Sequence, residues 1–95
     1  MAADRDSAAS SPVRRIVITG ASSGLGRALA TELAQRFPGS TMLLLARRAD
    51  RLAELAADLP QVQCVCETVD ITDHERLSTL CRRFVAEHGA PDIVI

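Results

Sequence analysis

From Arg14 onward the chain alternates between two hydrophobic periods. Ile16-Val17-Ile18 is a short apolar run, and Leu25, Ala28, Leu29, Leu33 and Phe37 then recur at helical spacing until Pro38-Gly39 interrupts them. Thr41 to Ala46 is a second and nearly continuous apolar run, as expected of a strand covered on both faces of a parallel sheet. A second helical stripe, Leu52, Leu55, Ala56 and Leu59, has Asp50 in its early turn and ends before Pro60. Val62 to Val69 alternates, with Val62, Cys64 and Cys66 on one side and Gln63, Val65 and Glu67 on the other, which predicts a half-exposed strand near a sheet edge. Thr72 or Asp73 is placed to cap a third helix, with the stripe Leu77, Leu80, Cys81, Phe84 and His88. Gly89 closes that helix, and Pro91-Asp92 leads into Ile93-Val94-Ile95.

The predicted order is therefore βαβαβαβ, beginning with a strand over Arg14 to Thr19. Its connections are long enough for parallel crossovers. We expect an α/β fold of Rossmann type, a parallel sheet in strand order 3-2-1-4 that makes half of a doubly wound domain. Residues 1–13 are rich in Ala, Ser and Asp and lack either period, so they read as a disordered tail before a single domain over residues 14–95.

The junction between the first strand and the first helix carries the chemistry. It reads Thr19-Gly20-Ala21-Ser22-Ser23-Gly24-Leu25-Gly26, three glycines between a strand and the helical pattern that starts at Leu25. Gly20 permits a backbone turn that a Cβ would obstruct, and Gly24 allows the main chain to approach a pyrophosphate closely. Gly26 lets the helix lie tight on the strand. The free N–H groups at the start of that helix, Leu25 included, then face the phosphates. A phosphate-binding loop of the Gly-Lys-Ser/Thr type is excluded, because the chain has no lysine.

The pattern Thr-Gly-x-x-x-Gly-x-Gly resembles the glycine motif of the short-chain dehydrogenase/reductase family, and the resemblance extends from Arg14 to Ile95. It implies that Ser22 and Ser23 line the phosphates. The position where NAD-preferring members carry Asp is Ala46 here, followed by Arg47 and Arg48. A guanidinium can grip a 2′-phosphate with two parallel hydrogen bonds, so NADP(H) is the expected cofactor, with Arg47 the stronger ligand and Arg48 the weaker. Val69-Asp70-Ile71-Thr72-Asp73 is similar to the family's adenine-contacting segment, with the Asp70 carboxylate accepting from the adenine amino group and the Ile71 N–H donating to the ring. The resemblance also implies hydride transfer with a small carbonyl or alcohol substrate, in a homo-oligomeric parent.

Composition narrows this further. The family's Asn-Ala-Gly segment and its catalytic Ser, Tyr and Lys fall beyond Ile95, and the chain has neither Tyr nor Lys. We therefore expect no catalytic residue here, and read the chain as the cofactor-binding portion of a longer enzyme. The alternative is a non-catalytic dinucleotide-binding or regulatory module. A net charge of −1 gives no reason to expect nucleic acid as a partner, and no apolar run is long enough to span a membrane. No secretory or mitochondrial leader is evident in residues 1–13, which makes the cytoplasm the default location. Cys64, Cys66 and Cys81 read as buried free thiols, and His74 and His88 lack partners at metal-ligand spacing.

Overall fold

The computed structural model describes residues 13–95. Four parallel strands, β1 (Arg15–Thr19), β2 (Thr41–Ala46), β3 (Gln63–Thr68) and β4 (Ile93–Val94), lie in the order β3-β2-β1-β4. Between them run α1 (Gly24–Arg36), α2 (Ala49–Ala57) and α3 (His74–His88). This is the expected βαβαβαβ alternation and the expected strand order. The expected tail over residues 1–13 lies outside the described residues except for Val13.

The central strands are buried because both of their faces are covered. Ile16, Ile18, Met42 and Leu44 point into one apolar layer with Ala30 and Ala34 of α1 and Leu52 and Leu55 of α2. Val17, Leu43 and Leu45 point the other way and pack with Leu80 and Phe84 of α3. Successive side chains of a strand alternate faces, so one run of apolar residues serves two cores at once. The strands are held in register by Ile16 opposite Met42, Val17 opposite Leu43 and Ile18 opposite Leu44.

Three details differ from the sequence expectation. The first strand starts at Arg15, because the Arg14 N–H is taken by the Ser40 hydroxyl at 2.7 Å, and Arg14 makes no rung with β4. The fully buried residues of α1 are small, Ala30 and Ala34; of the expected stripe Leu33 and Phe37 pack partly buried against the core, whereas Leu25 is 75% exposed and Ala28 is also exposed. Gly26, Ala30 and Ala34 follow one another at intervals of four, which brings the helix axis close to the strand and turns the bulkier Leu25 outward. The cysteines are free but not buried: Cys66 is exposed, and Cys64 and Cys81 are half-buried. Among the described residues β3 has no neighbouring strand on one flank, and its side chains are less fully covered than those of β2.

α3 is the best-capped helix. The Asp73 carboxylate accepts from the Arg76 N–H at 3.1 Å, settling the choice between Thr72 and Asp73. Gly89 ends it at φ 100°, a conformation that L side chains rarely adopt. Beyond it, Asp92 accepts from the Arg15 N–H at 2.9 Å and draws the chain back alongside β1.

Candidate functional site

All four strands run the same way, so the turns after β1, β2 and β3 emerge at one edge of the sheet. An open groove of about 570 Å³ lies there, lined by Gly20, Ser22 and Ser23 from the first turn and Ala46, Arg47, Arg48 and Arg51 from the second. The third turn contributes Val69, Asp70, Ile71 and Thr72. Seven of the ten residues singled out from sequence thus line a single groove: Gly20, Ser22, Ser23, Arg47, Arg48, Asp70 and Ile71. Gly24 lines a second open groove beside the first, whereas Leu25 and Gly26 line neither.

The first turn is built from main chain. The Ala21 N–H donates to the Leu45 carbonyl at 3.0 Å, pinning the turn to β2, and the Ser23 N–H donates to the Gly20 carbonyl at 3.4 Å. Gly20 has φ 63° and Gly24 φ 38°, both in the left-handed region, and a Cβ on either would meet no protein atom within 4 Å. These two glycines thus border open space, and their constraint is the backbone conformation itself. Gly26 is different. A Cβ there would overlap the carbonyl oxygen of Gly20 and come within 2.8 Å of its carbon, so its missing side chain is what seats α1 against the turn.

Ser23 is the N-cap of α1, yet its side chain makes no capping hydrogen bond. The first-turn N–H groups of Gly24, Leu25 and Gly26 have no carbonyl one helical turn earlier to accept them. A cap hydroxyl, three main-chain donors and the positive end of the helix dipole therefore meet at one place. Such a cluster suits an anion.

The second turn is built from charged side chains. Arg48 is fastened to Asp50, its Nε donating to Oδ1 at 3.1 Å and its Nη2 to Oδ2 at 2.7 Å. That bidentate contact holds the Asp50 carboxyl below the usual carboxylate range and the Arg48 guanidinium above its ordinary value. Among the described residues, Arg47 and Arg51 make no such pair with a carboxylate. Ala46 offers no acid at the end of β2.

In the third turn, Asp70 Oδ1 accepts from both the Thr72 N–H at 2.9 Å and the Thr72 hydroxyl at 2.8 Å. These two bonds, with a smaller contribution from Arg47, hold its carboxyl below the usual range. Oδ2 accepts no hydrogen bond among the described residues. Ile71 is 54% exposed, an aliphatic side chain lying open at the rim.

Sequence reasoning missed Arg51; Ala46, Val69 and Thr72, which also line the groove, stand in the segments it had singled out. The spacing Arg47-x-x-x-Arg51 was the available signal for Arg51, since a residue on the first turn of a helix can return to the groove that its preceding loop borders. Among the described residues no three His, Cys, Asp or Glu side chains converge as a metal would require, and no helix is long and apolar enough to cross a membrane.

Comparison with known proteins gives a consistent picture. An uncharacterized oxidoreductase of Mycobacterium tuberculosis is 41% identical over 86 residues, a match that covers 86% of this chain and 33% of that protein. The NADPH-dependent pterin aldehyde reductase of Arabidopsis thaliana is 37% identical over 83 residues, covering 86% of this chain and 34% of its own length. Among solved structures, L-sorbose reductase from Gluconobacter frateurii, complexed with NADPH and L-sorbose, superposes with a TM-score of 0.76 at 32% identity, over 86% of this chain and 32% of that one. The chain therefore spans about a third of the length of these relatives. The family model for short chain dehydrogenase matches residues 14–95, and with the parallel sheet and its glycine turn this places the chain in the short-chain dehydrogenase family.

Proposed function

We propose that residues 14–95 bind NADP(H) for hydride transfer between the nicotinamide and a small carbonyl or alcohol. The observation that carries this reading is the groove itself, where a main-chain anion site, an arginine-rich turn without an acid at position 46, and the Asp70–Thr72 turn face one another. The sheet-edge position is the usual one for a dinucleotide in a doubly wound fold.

The residues fit such a ligand. Gly20 and Gly24 border open space that a Cβ would partly fill, which leaves room for a pyrophosphate against the main chain. The Ser22 and Ser23 hydroxyls and the N–H groups of Gly24 and Leu25 supply neutral donors to the phosphates, and Gly26 keeps α1 close enough to present them. Arg47 supplies charge for a 2′-phosphate, with Arg48 beside it. Asp70 Oδ2 is the acceptor for an adenine amino group, the Ile71 N–H the donor, and the Val69 and Ile71 side chains the apolar bed for the base. When bound, the nicotinamide supplies or accepts the hydride. These 95 residues hold neither Tyr nor Lys, the proton-transfer pair that the family resemblance implies, so no proton-transfer role is assigned within them.

Titration of the full-length protein with NADPH and NADH tests this reading. NADPH should bind more tightly, and NADPH should be oxidised on addition of a suitable small carbonyl. Equal affinity for the two dinucleotides, or binding of neither, would overturn it. The relatives named as NADPH-dependent or complexed with NADPH support the choice of cofactor.

A further inference from the structure

Two open grooves meet at the sheet edge, and they share four residues: Ser22, Ser23, Arg48 and Arg51. The first runs on toward Asp70 and Ile71. The second, of about 590 Å³, runs toward Gly24, Arg27, Asp50 and Glu54. On the dinucleotide reading proposed above, on which this inference rests, the junction lies between the adenine side and the phosphate-binding turn. A 2′-phosphate branches from the adenosine ribose between those two parts. We propose that Arg51, on the first turn of α2, is the second arm of the 2′-phosphate site with Arg47, and that Asp50 keeps the adjacent Arg48 from filling that role.

The pairing of the arginines separates them. Arg27 is engaged by Asp58 at 3.1 Å, outside the junction. Arg48 is held at two points by Asp50 and is also drawn by the nearby Glu54. A phosphate that took Arg48 from its partner would leave the Asp50 carboxylate facing a dianion in the same groove. The pair is exposed and weak in water, so the obstacle is this repulsion and not the strength of the pair. Arg51 carries no such burden: among the described residues no carboxylate lies within ion-pairing distance of it. It lines both grooves, whereas Arg47 lines only the one on the adenine side. Two guanidinium groups approaching from different sides can share the three oxygens of a phosphate, each offering parallel donors.

Helix energetics point the same way. Arg48 is the N-cap of α2, and Arg51 lies on its first turn, at the positive end of the helix dipole. Cations there are unfavourable to the helix, and Asp50 offsets only one of them. Folding gains nothing evident from Arg51: the side chain is exposed, while its neighbour Leu52 fills the core. A residue that opposes the local rule with no packing return is expected where a ligand supplies the compensation.

The test compares NADPH and NADH affinities in the full-length protein carrying Arg51→Gln, Arg51→Lys or Arg48→Gln. Arg51→Gln should weaken NADPH binding about tenfold and leave NADH binding unchanged, because only NADPH carries the 2′-phosphate. Arg51→Lys should recover part of the loss by restoring the charge without the fork. Arg48→Gln should cost less than Arg51→Gln. A fall in both affinities together would mark Arg51 as merely structural and overturn the assignment. So would an unchanged NADPH affinity in Arg51→Gln, or a larger loss in Arg48→Gln. An unmutated protein that binds NADPH no more tightly than NADH removes the dinucleotide reading, and this assignment with it.

Discussion

The two turns that face each other across the groove are made in opposite ways. The β1–α1 turn is main chain and small residues, with the Gly20 and Gly24 backbones in left-handed conformations and α1 seated directly on the Gly20 carbonyl. The β2–α2 turn is long charged side chains on an exposed loop, where Arg48 and Asp50 satisfy each other and Arg47 and Arg51 extend into the groove. The first derives its shape from atoms that are missing, and a methyl group there has no room or no permitted backbone. The second derives its properties from charges on flexible stems, which can be exchanged without moving the chain. On the proposed function, one turn decides whether a phosphate can be held at all, and the other decides which dinucleotide is preferred.

Substitution of Gly26 should separate the two turns most sharply. Gly26→Val forces side-chain atoms onto the Gly20 carbonyl, which is backbone and cannot swing aside. We expect at least about 2–3 kcal/mol of destabilisation, in the upper range for overpacking, together with loss of dinucleotide binding. Denaturant unfolding measures the first and fluorescence titration the second. A variant as stable as the parent would mean that α1 can lift from the turn at little cost.

Gly20→Val and Gly24→Val should damage binding more than folding. Neither Cβ meets a protein atom, so the cost is the left-handed backbone, about 1–3 kcal/mol for a strained residue. The far-ultraviolet circular dichroism should survive while dinucleotide affinity falls steeply. Retained affinity in both variants would remove the phosphate role of this turn.

The charged turn should respond differently. Arg47→Asp is expected to leave stability unchanged and shift preference toward NADH, with about 1–3 kcal/mol of phosphate interaction lost. A parallel loss for NADPH and NADH would show that Arg47 shapes the loop instead of selecting the ligand.

The smallest effect lies away from both turns. Burial raises the Cys64 thiol to about 11, with a smaller contribution from Cys66. Its ordinary value is 9.0, so as pH rises above 9 the unfolded chain releases this proton while the folded chain keeps it. The resulting stability is fully present below pH 9 and is lost between there and about 11. Cys64→Ala should flatten that part of the stability–pH curve slightly. An unchanged curve would mean that the thiol is freely solvated.

Hydrophobic period and glycine spacing were enough to read the fold from the chain alone. A continuous apolar run such as Met42–Ala46 has one stable use in a βα alternation, as a strand covered on both faces, and Thr19–Gly26 has few uses other than a tight strand-to-helix turn. The glycine spacing pointed to Gly20, and the family resemblance to Ser22, Ser23, Arg47, Arg48, Asp70 and Ile71; all seven line one groove because each lies next to the end of a strand and parallel strands end together. Sequence reasoning failed where distance through space decides. The start of the α1 face was misjudged, though Leu33 and Phe37 farther along do pack on the core: side-chain hydrophobicity favours Leu25, and close approach of the helix to Gly20 favours Gly26 and Ala30. The ranking of the arginines also depends on the fold: Arg47, Arg48 and Arg51 are chemically identical in sequence. Both Arg48 and Arg51 stand at the junction of the two grooves, and only the structure shows that Arg48 is taken by Asp50 while Arg51 has no carboxylate partner among the described residues, because ion pairing is a property of neighbours in space.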